Sequence, residues 1–353
     1  MTRTFSYAGS PAQIVFGAGS RSKVAEWIAR AGCKRALVLS TVYQKADAEA
    51  LAQEIGDLVC GVFAGAVMHK PVEVTEAAMK VVAETGADCV VSLGGGSTTG
   101  LGKAIAYRTD LTQIVVPTTY AGSEVTPILG QTEAGRKTTV RDARILPEIV
   151  IYDASLTHGL PVAMSVTSGL NAMAHAVEGL YAKDRNPIST LMALEGLRAF
   201  AKSLPVIVRT PDDATARSDA LYGAWLCGSV LGTVGMALHH KICHTLGGSF
   251  DTPHAETHAV MLPHTAAFNA AAAASELTEA SDFFGGSIGG GLWDFAKDIG
   301  APLSLREFGL TEVDLDHAAS IAVENPYWNP RPIDRESIRS LLQDAWEGRR
   351  PAG

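Results

Sequence analysis

The stretch ADCVVSLGGGSTTGLGKAIAYR, residues 87–108, indicates how the first half of the chain folds. It begins with a continuous apolar run, passes through three glycines and a serine, and continues with the spacing of a helix. A short apolar run without alternation is typical of a parallel strand that is covered on both faces. Glycines let the backbone approach a phosphate closely, and the N-terminus of the following helix offers free N–H groups. We therefore predict a phosphate-binding turn, although a glycine triplet outside this context would indicate only a tight turn.

The same alternation of strand and helix extends from residue 13 to residue 153. Apolar runs at 35–40, 113–119 and 148–153 are interpreted as further strands, with helical spacing between them. This pattern predicts an α/β domain built on a parallel sheet, in which ligands bind at the carboxyl ends of the strands. The predicted cofactor-binding residues are Ser40, Gly94, Gly95, Gly96, Ser97, Thr118, Thr119, Tyr120 and Ser123, together with Lys137.

The strand pattern stops near Pro161, and the rest of the chain is apolar with helical period and rich in alanine. A chain of 353 residues is too long for one ordinary core. We therefore predict an α/β domain over 1–158 and an all-helical domain over 159–353. A second glycine cluster, GGSIGGG at 285–291, follows no strand, and we predict that it connects two helices rather than binding a phosphate.

Composition excludes several classes of protein. The chain is 47% hydrophobic and 19% charged, which is typical of a well-buried globular protein. Its net charge of -8 and the absence of any basic run argue against a nucleic-acid partner. The five cysteines are scattered without a CxxC motif, which argues against a thiolate zinc site and a disulfide framework. Because no apolar run has membrane-spanning length and MTRTFSYAGS has no signal core, we expect a cytoplasmic protein without a membrane partner.

Six of the ten histidines lie in one stretch, HHKICHTLGGSFDTPHAETHAVMLPH, residues 239–264. His240 and His244 are four residues apart, so on a helix they share one face, and the turn that follows is able to return His254 to that face. Asn171 and His175 form a second pair with the same spacing upstream. Together these side chains predict a metal site or a polar active site between helices. The alternative is that these histidines lie at a helix end and in a loop without forming a site.

The chain resembles the iron-containing (group III) alcohol dehydrogenases, whose dehydroquinate synthase-like fold is shared with glycerol dehydrogenase. The resemblance covers nearly the whole chain and implies an N-terminal NAD(P)-binding domain, a helical catalytic domain, NADH or NADPH as cofactor, and a homodimer. The motifs that carry it are Phe16-Gly17-Ala18-Gly19, Gly94-Gly95-Gly96-Ser97, Pro117-Thr118-Thr119, Glu124-Val125-Thr126, Asp153, Gly169-Leu170-Asn171, His175, His240-x-x-x-His244, Thr252-Pro253-His254, Leu262-Pro263-His264 and Asn329-Pro330-Arg331.

In this family one Asp and three His hold a metal, and the resemblance places those ligands at Asn171, His175, His240 and His254. A fifth position, His244, matches a histidine near the substrate and the nicotinamide. Asn171 is a neutral amide where the family has a carboxylate, so the site loses its charge-neutralising ligand. We therefore expect no bound metal, although three imidazoles alone remain able to hold zinc.

Two further departures concern the cofactor. Gly100 and Thr41 stand at positions where the family usually has an acid. Without an acid to meet the adenosine ribose, a 2′-phosphate is not repelled, so we expect NADPH to be accepted as well as NADH.

These departures are similar to those of the maleylacetate reductase branch of the family, which reduces the conjugated C=C of maleylacetate to 3-oxoadipate in aromatic breakdown without a metal. Hydride addition to an enone places charge on the ketone oxygen as an enolate, which hydrogen-bond donors can stabilise. We hypothesise that His244 donates the proton and that His175, His240 and His254 form a cationic or hydrogen-bonding cradle, to which the Asn171 amide could add a donor. The substrate would be a small dicarboxylate enone, whose carboxylates Lys103, Lys137, Arg141 or Arg331 could bind.

Three alternatives stay open at this point. The first is a metal-dependent group III alcohol or aldehyde dehydrogenase with an unusual Asn ligand. The second is a dehydroquinate synthase-like lyase, although the chain lacks a dense basic helical face for a phosphorylated substrate. The third is a dinucleotide-binding module without catalytic activity.

Overall fold

The structure, a computed structural model, describes residues 5–7, 9, 13–68, 71–133 and 136–352, with the backbone alone for 132, 133 and 136–138. Within that range the chain forms two compact units. The first is Ala8–Leu160, and the second is Pro161–Gly353 with the described part of Met1–Tyr7. The division follows Leu160, two residues beyond the boundary that the sequence analysis placed after His158.

The first unit is built on a six-stranded parallel sheet. This confirms the predicted fold class. The strands of the unit are β1 (Gln13–Phe16), β2 (Ala36–Leu39), β3 (Val59–Phe63), β4 (Cys89–Gly94), β5 (Thr112–Pro117), β6 (Ile128–Glu133), β7 (Arg136–Arg141) and β8 (Ile149–Tyr152). The order across the parallel sheet is β1-β8-β5-β4-β2-β3, and β6 and β7 form a separate pair. The longer helices of this unit are α1 (Val24–Arg30), α2 (Lys45–Ile55), α3 (Val72–Thr85) and α4 (Gly96–Thr109).

Both faces of the sheet are covered, because successive strand residues point to opposite sides. On one face Val38 of β2 packs in a core with Ile28 of α1 and Leu51 of α2. On the other face Leu37 packs in a core with α3 and α4. Burial on both faces explains why the strands carry continuous apolar runs, which made them visible in the sequence.

The antiparallel pair β6–β7 was not predicted. Its sequence has few apolar residues, since a two-stranded ribbon needs to bury only one face. Leu129 and Val140 supply that face and pack against Ala104 and Ile145.

The second unit is all-helical over its described residues, as predicted. Its helices are α5 (Val162–Tyr181), α6 (Pro187–Arg209), α7 (Ala214–Thr233), α8 (Leu238–Ser249), α9 (His254–Ala270), α10 (Ala274–Asp282), α11 (Ile288–Asp298), α12 (Glu312–Val323) and α13 (Arg335–Glu347). Almost all of α5 is buried, which makes it the central helix against which α6, α7 and α9 pack.

The prediction for the cluster GGSIGGG was partly wrong. Only Gly285 and Gly286 belong to a connection, whereas Gly289, Gly290 and Gly291 lie in α11. A Cβ atom added to Gly289 would lie 2.4 Å from the Cβ atom of Ala267 in α9. Gly289 therefore allows α11 to pack closely against α9, a need that the local sequence did not reveal.

Among the described residues, no single helix has both the length and the hydropathy required to cross a membrane. The pair α7 and α8 meets both requirements jointly, but the two helices are bent by 95° at their junction.

Candidate active site

The predicted glycine turn lies at the carboxyl end of β4, where α4 begins at Gly96. A Cβ atom on Gly94 would lie 2.5 Å from Thr98 Oγ1, and one on Gly95 would lie 2.8 Å from Thr119 Cγ2. The turn thus has no room for side chains at Gly94 and Gly95, and no side chain caps the N-terminus of α4. Its exposed N–H groups suit the phosphates of a dinucleotide.

The end of the neighbouring strand β5 contacts this turn. The backbone N–H of Thr118 donates to the Gly94 carbonyl at 3.1 Å, and Gln44 Nε2 donates to Thr118 Oγ1 at 3.1 Å. Gly94 to Ser97 and Thr118 to Thr119 therefore form one edge. Ser40 is buried at the end of β2, and its hydroxyl has no hydrogen-bond partner among the described residues.

Other residues assigned to the cofactor have different surroundings. The Tyr120 side chain is completely buried. Ser123 is joined through its carbonyl to the Lys103 ammonium. The Lys137 side chain lies outside the described residues.

Two of the basic residues that were candidates for binding the substrate carboxylates have other contacts. Lys103 is buried, and its ammonium also donates to Thr126 Oγ1 at 2.9 Å and to the Ile128 carbonyl at 3.0 Å. It therefore holds the segment after β5 in place, which makes it a poor candidate for binding a substrate carboxylate. Arg331 lies 3.9 Å over the Phe268 ring and donates to the Phe268 carbonyl at 3.1 Å.

The helical unit contains six neighbouring imidazoles, which we call the histidine cluster: His175 on α5, His239, His240 and His244 on α8, and His254 and His258 on α9. Ring centroids are 5.2 Å apart for His175 and His240, and 5.9 Å apart for His240 and His244. His258 lies 5.0 Å from His240 and 4.6 Å from His254. Asn171, buried one helical turn before His175, completes the set that the sequence predicted.

Glu178 joins α5 to α8 and orients His240. Its Oε1 accepts the His239 backbone N–H at 2.7 Å, and its Oε2 accepts that of Ala237 at 2.9 Å. No residue of α8 caps this helix N-terminus, so the carboxylate satisfies donors that would otherwise be unpaired. His240 Nδ1 donates to the same carboxylate at 2.6 Å, which leaves Nε2 as the acceptor of the neutral ring.

A second chain of hydrogen bonds fixes two further rings. Thr265 Oγ1 donates to the Met261 carbonyl, so it accepts from His239 Nδ1 at 2.9 Å. His239 Nε2 is then an acceptor, and His258 Nδ1 donates to it at 2.9 Å. His258 Nε2 thus remains a buried lone pair without a partner among the described residues.

Burial determines the charge of these rings. Desolvation lowers the pKa of His175, His239 and His258 well below the usual 6.5, and neighbouring imidazoles lower it further. The three rings are therefore neutral at pH 7, and each presents one N–H donor and one lone pair.

The donor set does not fit a divalent metal. Asn171 Oδ1 and His240 Nε2 are buried without partners in the described part of the chain, so both offer lone pairs. However, a metal needs several ligand atoms close together. Among the described residues, the His, Cys, Asp and Glu side chains whose ligand atoms lie within 4.8 Å of one another in groups of three are His239–Cys243–His258 and Cys33–Asp88–Cys89. The imidazoles of the implied metal site are not such a group, and the Glu178 carboxylate is already engaged. A converging, charge-neutralising ligand set is therefore missing.

Sequence reasoning missed four residues near these side chains: Glu178, His239, His258 and Tyr327. Glu178 had a usable signal, because it follows Asn171 and His175 at helical spacing on one face. The two histidines lay inside the stretch that was singled out. Tyr327 had no local signal, since only the folded chain brings its hydroxyl to 3.3 Å from His244 Nδ1.

Two protein-family models match most of the chain. The model "Iron-containing alcohol dehydrogenase" matches residues 11–154, and "Fe-containing alcohol dehydrogenase family, C-terminal" matches residues 165–346. A maleylacetate reductase of Rhizobium sp. (strain MTP-10005) is 63% identical over 98% of this chain and 99% of its own length. One of Sphingobium indicum is 53% identical over 98% of this chain and 99% of its own length. The crystal structure of maleylacetate reductase from Agrobacterium tumefaciens has a TM-score of 0.97 and 64% identity, covering 99% of this chain and 100% of that one.

The neutral, buried histidines make stability depend on pH. Burial lowers the pKa of His264 to about 4, against about 6.5 in an unfolded chain. As pH falls below 6.5 the unfolded state takes up the proton first, so the free energy of unfolding falls. From pH 7 to pH 5 this residue should contribute a loss of about 2 kcal/mol. Urea unfolding of His264→Leu should show a correspondingly weaker pH dependence than the wild type, and equal dependence would contradict the assignment.

Proposed function

The chain belongs to the iron-containing alcohol dehydrogenase family, and from this premise we propose that it reduces maleylacetate to 3-oxoadipate with NADH or NADPH, without a metal. The observation that carries the proposal is Asn171, a buried neutral amide beside neutral imidazoles where the family holds a metal with a carboxylate. Relatives at 63% and 53% identity that are named maleylacetate reductase support the choice of substrate. We further propose a homodimer that acts in the cytoplasm.

The glycine turn and Thr118 are the proposed cradle for the cofactor phosphates. Ser97 and Thr119 add hydroxyls at the same edge, and both are partly accessible. The nicotinamide, when bound, supplies a hydride. Positions 41 and 100 are occupied by Thr and Gly instead of an acid, so no carboxylate there repels a 2′-phosphate. This supports use of NADPH as well as NADH.

The reaction suits residues that donate hydrogen bonds rather than a Lewis acid. Hydride adds to the alkene carbon that is β to the ketone, the C=C bond becomes a single bond, and charge moves to the ketone oxygen as an enolate. An enolate is a weaker base than the alkoxide formed from a simple ketone, so N–H donors in a dry site can stabilise it. We propose that His175, His254 and the Asn171 amide supply those donors, whereas the Nδ1 proton of His240 is committed to Glu178.

A proton must then reach the carbon next to the ketone. We propose His244 as its source, because it is partly accessible, unlike the buried His239 and His240, and its Nδ1 lies 3.3 Å from the Tyr327 hydroxyl. That bond assigns Nδ1 to the tyrosine, so the transferred proton leaves from Nε2. The enolate collapses to the ketone as the C–H bond forms, and the product is the saturated oxo-dicarboxylate.

His244→Ala should lower the turnover of maleylacetate by about 100-fold or more, because a general acid contributes that much to proton transfer. The assay is NADH oxidation with maleylacetate, compared with cyclohexanone as a ketone without a conjugated C=C bond. His317→Ala, which removes an exposed histidine from the same unit, is the matched control. Turnover of His244→Ala within threefold of the wild type would contradict the role, and reduction of cyclohexanone alone would contradict the substrate.

Asn171→Asp should create the charged ligand that the site lacks. We expect this variant to hold Zn²⁺ or Fe²⁺ at least about tenfold more tightly than the wild type, because a carboxylate neutralises the ion. Its reduction of maleylacetate should fall by about tenfold, since the amide donor is lost.

Asn186→Asp is the control for that experiment. It makes the same chemical change at the N-cap of α6, where Asp caps as well as Asn. It should gain no metal and keep its activity. If metal content and turnover of Asn171→Asp match those of the wild type, our interpretation of Asn171 is wrong.

A further inference from the structure

The segment between α12 and α13 is fixed to the helices that carry the histidine cluster. Asn325 has a left-handed backbone, with φ of 49°, which turns the chain out of α12. Asn329 and Asn269 of α9 then exchange two hydrogen bonds of 2.9 and 2.7 Å through their side-chain amides. Asn329 Oδ1 also accepts the Leu238 backbone N–H at 3.4 Å, and its Nδ2 donates to the Arg331 carbonyl at 2.7 Å. The segment is thus anchored to α9 and to the first residue of α8.

This anchoring places Tyr327 against the exposed side of α8. Its hydroxyl lies 3.3 Å from His244 Nδ1, and its ring stands at 78° to the imidazole, with centroids 6.4 Å apart. The Lys241 ammonium lies 6.0 Å from the centroid of the Tyr327 ring. Because Lys241 and His244 are three residues apart on one helix, they lie on the same side of it.

Lys241 differs from the other basic residues considered for the substrate. Its ammonium makes no hydrogen bond or ion pair with any described residue, although the side chain is half-buried. By contrast, the Lys103 ammonium is fully used inside the first unit, and Arg331 is held by Phe268. A half-buried cation without a counterion, placed beside the proposed acid, is suited to an anionic ligand.

We propose that Lys241 and Tyr327 form a carboxylate-binding subsite beside His244, which takes one carboxylate of a small dicarboxylate substrate. The proposal deepens the function proposed above and rests on it for the role of His244. Lys241 supplies the positive charge, and the Tyr327 hydroxyl donates its proton to the carboxylate while accepting from His244 Nδ1. The bound carboxylate would hold the reacting carbon in a fixed position relative to His244 Nε2.

The chemistry of Tyr327 supports this role. Burial and the nearby charge of Glu178 raise the pKa of the phenol above its usual value. The hydroxyl therefore keeps its proton at neutral and moderately alkaline pH, and it remains a donor to an anion.

The test uses steady-state kinetics and a binding measurement on the full chain. Lys241→Met should raise the KM for maleylacetate about tenfold or more, the cost of losing one charge-assisted hydrogen bond, and leave the KM for NADH unchanged. Lys241→Arg should restore most of the affinity. Tyr327→Phe should raise the KM for maleylacetate and also lower kcat, because its hydroxyl contacts both the carboxylate and His244.

The matched control is Lys297→Met. Lys297 also lies over an aromatic ring in the helical unit, 5.4 Å from Trp293, so the substitution removes a comparable cation–ring pair. It should leave both KM values and kcat within twofold of the wild type.

Adipate, a six-carbon dicarboxylate that cannot be reduced by hydride, separates the subsite from the reaction. Calorimetry should show that Lys241→Met weakens adipate binding about tenfold or more, whereas Lys297→Met does not. Equal adipate affinity in Lys241→Met and the wild type, or no adipate binding by the wild type, would overturn the subsite. If adipate binding depends on Lys241 but the wild type does not reduce maleylacetate, the proposed function fails and the subsite stands.

Discussion

The carboxylate of Glu178 is the contact on which the organisation of the histidine cluster depends. It accepts two backbone N–H groups at the start of α8 and the Nδ1 proton of His240, so one side chain fixes where α8 begins and how His240 is oriented. Buried carboxylates persist only when their lone pairs are satisfied, and here three donors satisfy them. Since Glu178 is committed in this way, the charge that a metal would require has to come from position 171, where the chain has an amide.

The result is a site composed largely of neutral donors and acceptors whose directions are determined by the fold. Thr265 sets the tautomer of His239, His239 sets that of His258, and Glu178 sets that of His240. Burial keeps the deepest rings uncharged. The N–H groups of the three rings with assigned tautomers are used within the protein, so the donors that remain for the delocalised anion of the proposed reaction are those of His175, His254 and the Asn171 amide. The exposed side of α8 is different, because Lys241 adds positive charge there.

Much of the fold followed from the sequence because burial on both faces of β2, β4 and β8 requires uninterrupted apolar runs. The helical unit was visible for the same reason, since almost every residue of α5 is buried. What could not be predicted depends on contacts between distant residues. From the sequence, Lys103 was a candidate for the substrate, but its ammonium donates to Thr126 and Ile128. Gly289 was predicted to lie in a connection, but it lies in α11 and packs against α9. The side chains that predicted the site, Asn171, His175, His240, His244 and His254, all lie in the helical unit. Of the partners that orient them, Glu178 shares the helical spacing of Asn171 and His175 and was open to prediction, whereas Tyr327 became apparent only in three dimensions.

The central claim is that this arrangement of amide and imidazoles works without a metal ion. The most direct measurement is the kcat for maleylacetate reduction by NADH after exhaustive dialysis against EDTA, with the metal content of the same sample determined by mass spectrometry. We expect full turnover in protein that contains far less than one metal ion per chain, and no increase when Zn²⁺ or Fe²⁺ is added. Turnover that disappears with the metal and returns when one equivalent is restored would contradict the account.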